Sequence, residues 1–220
     1  MEALGELCAR RGMWLICDET YAHCIFDGRR HTSAVDNASC SGRSITVRTF
    51  SKGPLRPSWR LGWVVTPREL VPRIEALSKV MHYGLQSFLQ AGAAAVLHPA
   101  HREALLQAEA LLYERRRDVF IAALVAEDAG RSLAVPLRPD GGMFVLVDCR
   151  AARVSSLVLA TVLLERHGVA VMPGEGFSGN GGCSTHGFLR VALVAPESEL
   201  AVAAVAIAAC AFHMSQTVVE

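Results

Sequence analysis

An α/β fold of alternating layers is predicted for this chain of 220 residues. Three observations predict it. Short β-prone apolar runs alternate with segments whose apolar residues recur at helical spacing. The first such run, Met13 to Cys17, ends in the acids Asp18 and Glu19, as a buried parallel strand does when its C-terminal tip carries a site. The composition, 51% hydrophobic and 20% charged, supplies a sizeable core and excludes a disordered chain.

Each element then follows in order. Residues 2–12 read as the end of a helix, with Gly12 as its stop. Residues 13–17 are a buried strand, and the Gly-, Ser-, Asn- and Arg-rich stretch 27–44 is loop. Segments 44–50 and 61–66 are strands, and Gly53, Pro54 and Pro57 exclude a helix between them. From Pro67 the pattern turns helical, with Leu70, Val71, Ile74, Leu77 and Met81 on one face. A second apolar stretch covers 85–97, and a long amphipathic helix runs from about Ala100 to Ala129. Pro136 and the run Pro139-Asp-Gly-Gly142 interrupt the chain. Strand 143–147, helix 155–167, strand 169–172, a Gly-rich loop 173–182, strand 188–194 and helix 196–214 complete it. Met143 and Phe144 read as strand core, and Arg115 to Arg117 as the wet face of the long helix. There is no internal repeat, and a composition shift near 85–100 marks a boundary between two subdomains.

Twenty-two Lys and Arg against 21 Asp and Glu leave a charge of +1, which excludes nucleic-acid binding driven by bulk charge. The seven cysteines are odd in number and form no CxxC, so reduced thiols are expected, with neither a disulfide framework nor a zinc ribbon. The first residues carry no apolar signal core, and the longest apolar run, Leu200 to Phe212, is too short to span a bilayer. A cytoplasmic protein without a membrane partner is the expectation.

Four places can carry chemistry. Asp18 at a strand tip can pair with a cationic ring nitrogen, and Tyr21 can donate to an oxygen of the same ring; the alternative is an acid that caps a loop. Lys52, in Thr49-Phe-Ser-Lys52, stands just past a strand among small hydroxyls and can form a Schiff base; the alternative is a solvated loop lysine. Arg60 follows eight residues later and suits a phosphate, or else is a surface arginine. Arg190 lies inside the apolar strand Phe188 to Val194. There a charge needs an anion or faces solvent by alternation. The run Gly174-Glu-Gly176-Phe-Ser-Gly179 matches GxGxxG but lacks a following helix, so a loop over a site is the better reading. The eight histidines form no metal-ligand spacing, and no metal is expected.

Together, ICDETY with IFDG after it, TFSK, SWRLGWVV, PDGGMFVLVD, GVAVMPGEGF and GFLRVALVAP resemble, in order, the class I/II aminotransferases of the aspartate-aminotransferase-like fold. The resemblance is to their C-terminal part, and the motif style is nearest to the pyruvate-using, arginine–pyruvate type. It implies a partial large domain with a mixed, mostly parallel sheet over residues 1–98, then a smaller α+β C-terminal domain over 99–220. It implies pyridoxal 5'-phosphate as cofactor, held by Lys52 as a Schiff base. Asp18 would bond the ring nitrogen, Tyr21 the ring oxygen, and Thr49 and Arg60 the phosphate. Arg190 would clamp the substrate carboxylate. The implied reaction moves an amino group between an α-amino acid and an α-keto acid. An inactive truncated homologue and a C–S lyase on the same fold are the alternatives.

Three departures from the family pattern stand out. Family members are roughly twice this long, and the part without a counterpart supplies a Gly-rich phosphate turn, a ring-stacking aromatic, an Asn and much of the dimer contact. A homodimer is therefore expected only when that N-terminal half is present. Thr49, Arg56 and Ser58 stand where other residues are usual. A sheet lacking several strands would leave an open edge and a bare apolar face.

Overall fold

The computed structural model describes residues 1–53, 59–131, 133–177 and 186–217. Arg56, Ser58, Pro54 and Pro57, named above, the loop from 178 onward and the seventh cysteine, Cys183, lie outside the described residues. The chain divides into two compact units, Met1–Ala110 and Leu111–Glu220.

The first unit opens with α1 (Glu2–Arg11), ended by Gly12 at φ 65°, the left-handed cap that glycine adopts without strain. Gly5 on this helix sits directly on the 38–40 turn; a Cβ there would lie 2.6 Å from the Ser39 carbonyl. Strand β1 (Leu15–Asp18) pairs in parallel with β2 (Ser44–Thr49), which pairs antiparallel with β3 (Gly62–Val65). Helices α2 (Val71–His82) and α3 (Ser87–Val96) follow, then the first half of α4 (Pro99–Asp128). A small core of Phe50, Leu61 and Ala93, with Trp59, Leu89 and Val96 around it, ties α3 to the base of the sheet.

Alternation splits this sheet into two faces. Cys17 and Thr46 face inward, and Thr46 is fully buried. Ile16, Val47 and Val64 face the other way; Ile16 remains 69% exposed and Val64 41%. Among the described strands β1 has a neighbour on one side only. The open edge and bare apolar face expected of this sheet are both present.

The second unit holds the antiparallel sheet β4 (Val135–Leu137), β5 (Phe144–Asp148), β7 (Phe188–Ala192) and β6 (Met172–Pro173), in that spatial order. Val145, Val147, Leu189 and Val191 bury one face together with α5 (Ser156–His167) and α6 (Glu197–Thr217). Residues Leu124, Leu159, Leu163, Leu193 and Ile207 are fully enclosed, each contributing about 1.5–3 kcal/mol by leaving water. Helix α6 is long and apolar enough to cross a membrane by length and composition. One stripe of it (Leu200, Ala204, Ile207, Ala208 and Ala211) is buried within the unit.

Two readings of the sequence change here. Pro136 does not end the order but lies within β4, an edge strand, where a missing N–H breaks no ladder. The basic run is not all wet face. Arg115 is 67% exposed on its side chain, whereas Arg117 is fully buried. Arg117 donates to Asp118 at 2.8 Å and to the Pro139 carbonyl at 3.1 Å. The cysteines among the described residues form no disulfide, and burial pushes the Cys149 thiol up to about 12, with Asp148 adding to the shift.

Arg117→Ala is expected to lower stability to urea by about 3–5 kcal/mol, because it strands the groups that the buried cation satisfies. Arg115→Ala should leave the unfolding midpoint unchanged. Circular dichroism during urea titration reads both.

Candidate active site at the strand tips

The parallel pair β1 and β2 ends at one edge of the first unit's sheet, and the sequence-predicted residues of that unit gather there. Asp18 closes β1 on the open face, level with Val47 of β2. Its Oδ1 accepts from the Thr20 amide at 2.9 Å and the Thr20 hydroxyl at 2.5 Å. Its Oδ2 accepts nothing from the described residues, so this oxygen is free for a partner that carries a proton. Tyr21 follows in the turn, half-buried.

The chain past β2 turns sharply. The Thr49 hydroxyl donates to the Leu61 carbonyl at 3.1 Å and accepts from the Ser51 amide at 3.0 Å. That hydroxyl is committed to shaping the turn. Ser51 instead accepts at its Oγ from Arg60 Nη1 at 3.2 Å, so its own hydroxyl proton remains available. Lys52 lies half-buried between Ser51 and Gly53 and makes no ion pair or hydrogen bond with the described residues. Arg60 is exposed and holds φ 51°, a left-handed conformation that costs a non-glycine residue of order 1 kcal/mol. Ser51 was not singled out from the sequence as a ligand; its adjacency to Lys52 in TFSK was the available signal.

Behind the tips, on the covered face, lies a residue that sequence reasoning left in the background. Glu19 is 5% exposed. It accepts from the Ser33 hydroxyl at 2.8 Å, the Ala34 amide at 3.0 Å, and Arg48 through Nη2 at 2.6 Å and Nε at 3.1 Å. His31 Nε2 stands 3.3 Å away. Burial raises the Glu19 carboxyl, but the Arg48, Ala34 and Ser33 hydrogen bonds outweigh it and hold the group below its usual 4.5. A cavity of about 450 Å³ adjoins this cluster, lined by Glu19, His23, Arg48, Phe50, Trp63 and Leu106 among others. Of the predicted site residues only Thr49 lines it; Arg60 lines a separate groove with Val47 and Val64, on the open side of the sheet.

Arg190 belongs to the second unit, on the face of its sheet opposite Leu189 and Val191. Phe144 lies 4.3 Å and Phe177 4.6 Å from its guanidinium carbon. Phe144 is therefore not simple strand core: it is half-buried, with its ring given to a cation. Glu175, in the run first weighed as a phosphate loop, binds the start of α5. It accepts from the Ser156 hydroxyl and from the Leu157 amide at 3.3 Å. Among the described residues no group of His, Cys, Asp and Glu is placed to hold a metal.

Comparison with known proteins gives concordant results. The family described as "Aminotransferase class I and II" matches residues 1–207. The arginine–pyruvate transaminase of Pseudomonas aeruginosa is 40% identical over 97% of this chain and 51% of its own length. An aspartate aminotransferase of Rhizobium meliloti is 29% identical, with 92% and 49% covered. Among solved structures, a Thermus thermophilus aspartate aminotransferase aligns with TM-score 0.81 and 25% identity over 95% of this chain and 51% of that one. The chain thus spans about half the length of the curated relatives it matches.

The Glu19 carboxylate has a lowered affinity for protons in the fold, so its contribution is fully present above pH 4.5 and is lost as pH falls below that. Glu19→Gln should flatten the acid limb of a stability-versus-pH curve, measured by thermal unfolding from pH 7 downward. An unchanged acid limb would show that other groups set it.

Proposed function

The chain belongs to the class I and II aminotransferase family, and on that footing we propose that it is a pyridoxal-phosphate-dependent aminotransferase polypeptide. The observation that carries this is the gathering of Asp18, Lys52, Ser51 and Arg60 at the C-terminal ends of two parallel strands. That is where open α/β sheets take their ligands.

The donor set suits the cofactor. Ser51 and Arg60 offer a hydroxyl proton and a guanidinium at one place, the chemistry a phosphate dianion needs. Asp18 presents an uncommitted carboxylate oxygen to a protonated ring nitrogen. When bound, pyridoxal phosphate supplies a carbonyl that reacts with amines and a cationic ring that withdraws electrons. Asp18 would hold the proton on that ring nitrogen, and Tyr21 would donate to the ring oxygen. Thr49 would shape the turn so that Ser51, Lys52 and Arg60 face one group. The Lys52 amine would hold the cofactor and afterwards carry a proton to and from the substrate α-carbon. Arg190 would take the substrate carboxylate.

The proposed substrates are an α-amino acid and an α-keto acid; the Pseudomonas relative's name makes arginine and pyruvate the first pair to test. The proposed compartment is the cytoplasm. The proposed domains are 1–98 for the cofactor and 99–220 for the smaller domain. A second copy is the proposed partner once residues matching the rest of the relatives' length are present. A second reading, cofactor binding without turnover, rests on the half-length coverage of those relatives.

Titration of the chain with pyridoxal phosphate should give a saturable absorbance band that Lys52→Ala lacks. Arg60→Ala should weaken binding by about tenfold or more, and Asp18→Asn should alter the band. Identical titrations of wild type and Lys52→Ala would overturn the assignment. A band without amino transfer from arginine to pyruvate would favour the second reading.

A further inference from the structure

Arg190 is a half-buried cation whose register neighbours on its sheet face are Leu146 of β5 and Met172 of β6. Its guanidinium carries five N–H donors. None of them reaches an acceptor among the described residues, and no carboxylate pairs with it there. What it does have is two phenyl rings, within 4.3 and 4.6 Å of Cζ. They come from opposite sides of β7. Phe144 stands on β5, two residues from the Arg190 partner Leu146, and Phe177 follows β6, whose Met172 is the partner on the other side.

Rings at this distance attract the cation through their quadrupole and remove water from the guanidinium faces. The N–H groups lie in the guanidinium plane, so the remaining approach is along its edge. A planar carboxylate meets that edge with two parallel hydrogen bonds. The position of Phe177 is itself enforced. Gly174 donates its amide to the Ser156 hydroxyl at 3.0 Å, and Glu175 holds Ser156 and the Leu157 amide at the start of α5. Burial raises the Glu175 carboxyl, but these bonds outweigh it and keep the group below its usual value, as a charged clamp.

We infer that Phe144 and Phe177 are positioning residues that hold the Arg190 guanidinium edge-on toward a substrate carboxylate, with Phe177 set in place by the Glu175 clamp on α5. The inference rests on reading Arg190 as the carboxylate-binding residue. The clamp makes the site selective for planar anions over neutral carbonyl compounds, because the edge offers a charge and paired donors and the ring faces offer neither.

Phe177 is 50% exposed, so replacing it leaves the core intact. The test is an NMR titration of the 15N-labelled full chain, with the Arg190 Nε–Hε signal assigned by its loss in Arg190→Lys. Pyruvate should shift that signal saturably, and methyl pyruvate should not. Phe177→Leu should weaken pyruvate binding at least tenfold, whereas Phe177→Tyr, which keeps the ring, should stay within threefold. Wild-type affinity in Phe177→Leu would overturn the clamp and leave Arg190 as a carboxylate site. Equal loss in Phe177→Tyr and Phe177→Leu would also overturn it, since the ring would not be the cause. No pyruvate shift in wild type would overturn the reading of Arg190 and the clamp with it.

Discussion

The buried carboxylate of Glu19 organises the candidate site. Removing such a charge from water costs several kcal/mol unless good geometry returns it. Here Arg48 binds through two nitrogens, and Ser33 and Ala34 complete the set. This cluster joins the tips of β1 and β2 and the loop between them. By strand alternation it also sends the neighbouring Asp18 to the opposite face. Thr49, next to Arg48, starts its turn from a fixed point. Asp18, Tyr21, Thr49, Ser51 and Lys52 are therefore each within four positions of Glu19 or of the Arg48 it restrains.

Both sheets divide into a covered and an uncovered face. In each unit the residues with chemical potential stand on the uncovered one: Asp18 beside Ile16 and Val47, and Arg190 beside Leu146 and Met172. Helix α2 adds Leu77, Val80 and Met81, all more than half exposed. So much exposed apolar surface is unusual for a self-sufficient unit. It accords with a chain that matches only about half the length of its relatives.

The turn between β2 and β3 concentrates commitments. Thr49 bonds at both its donor and its acceptor, and Arg60 adopts a left-handed backbone. Strain of this kind persists where surrounding structure over-determines it. Here the paired strands supply that, through the Phe50 amide on the Leu61 carbonyl and the Thr49–Gly62 register.

By itself the sequence determined the succession of helices and strands, the Gly12 stop and the placement of Asp18 at a strand tip. All of these are set within a few residues, by periodicity and by glycine. Local judgements failed at Pro136, Arg117 and Phe144. Whether β4 is an edge depends on sheet order, and whether Arg117 is wet depends on Pro139. The same distance in sequence hid the role of Glu19, whose partner Arg48 is 29 residues away, and that of Glu175, 19 residues from Ser156. It also hid that Ser51 is the hydroxyl that meets Arg60, and that Phe144 and Phe177 meet Arg190. A charge or a ring carries no local mark of the group it will meet, because that pairing is made by packing, which only the tertiary structure decides.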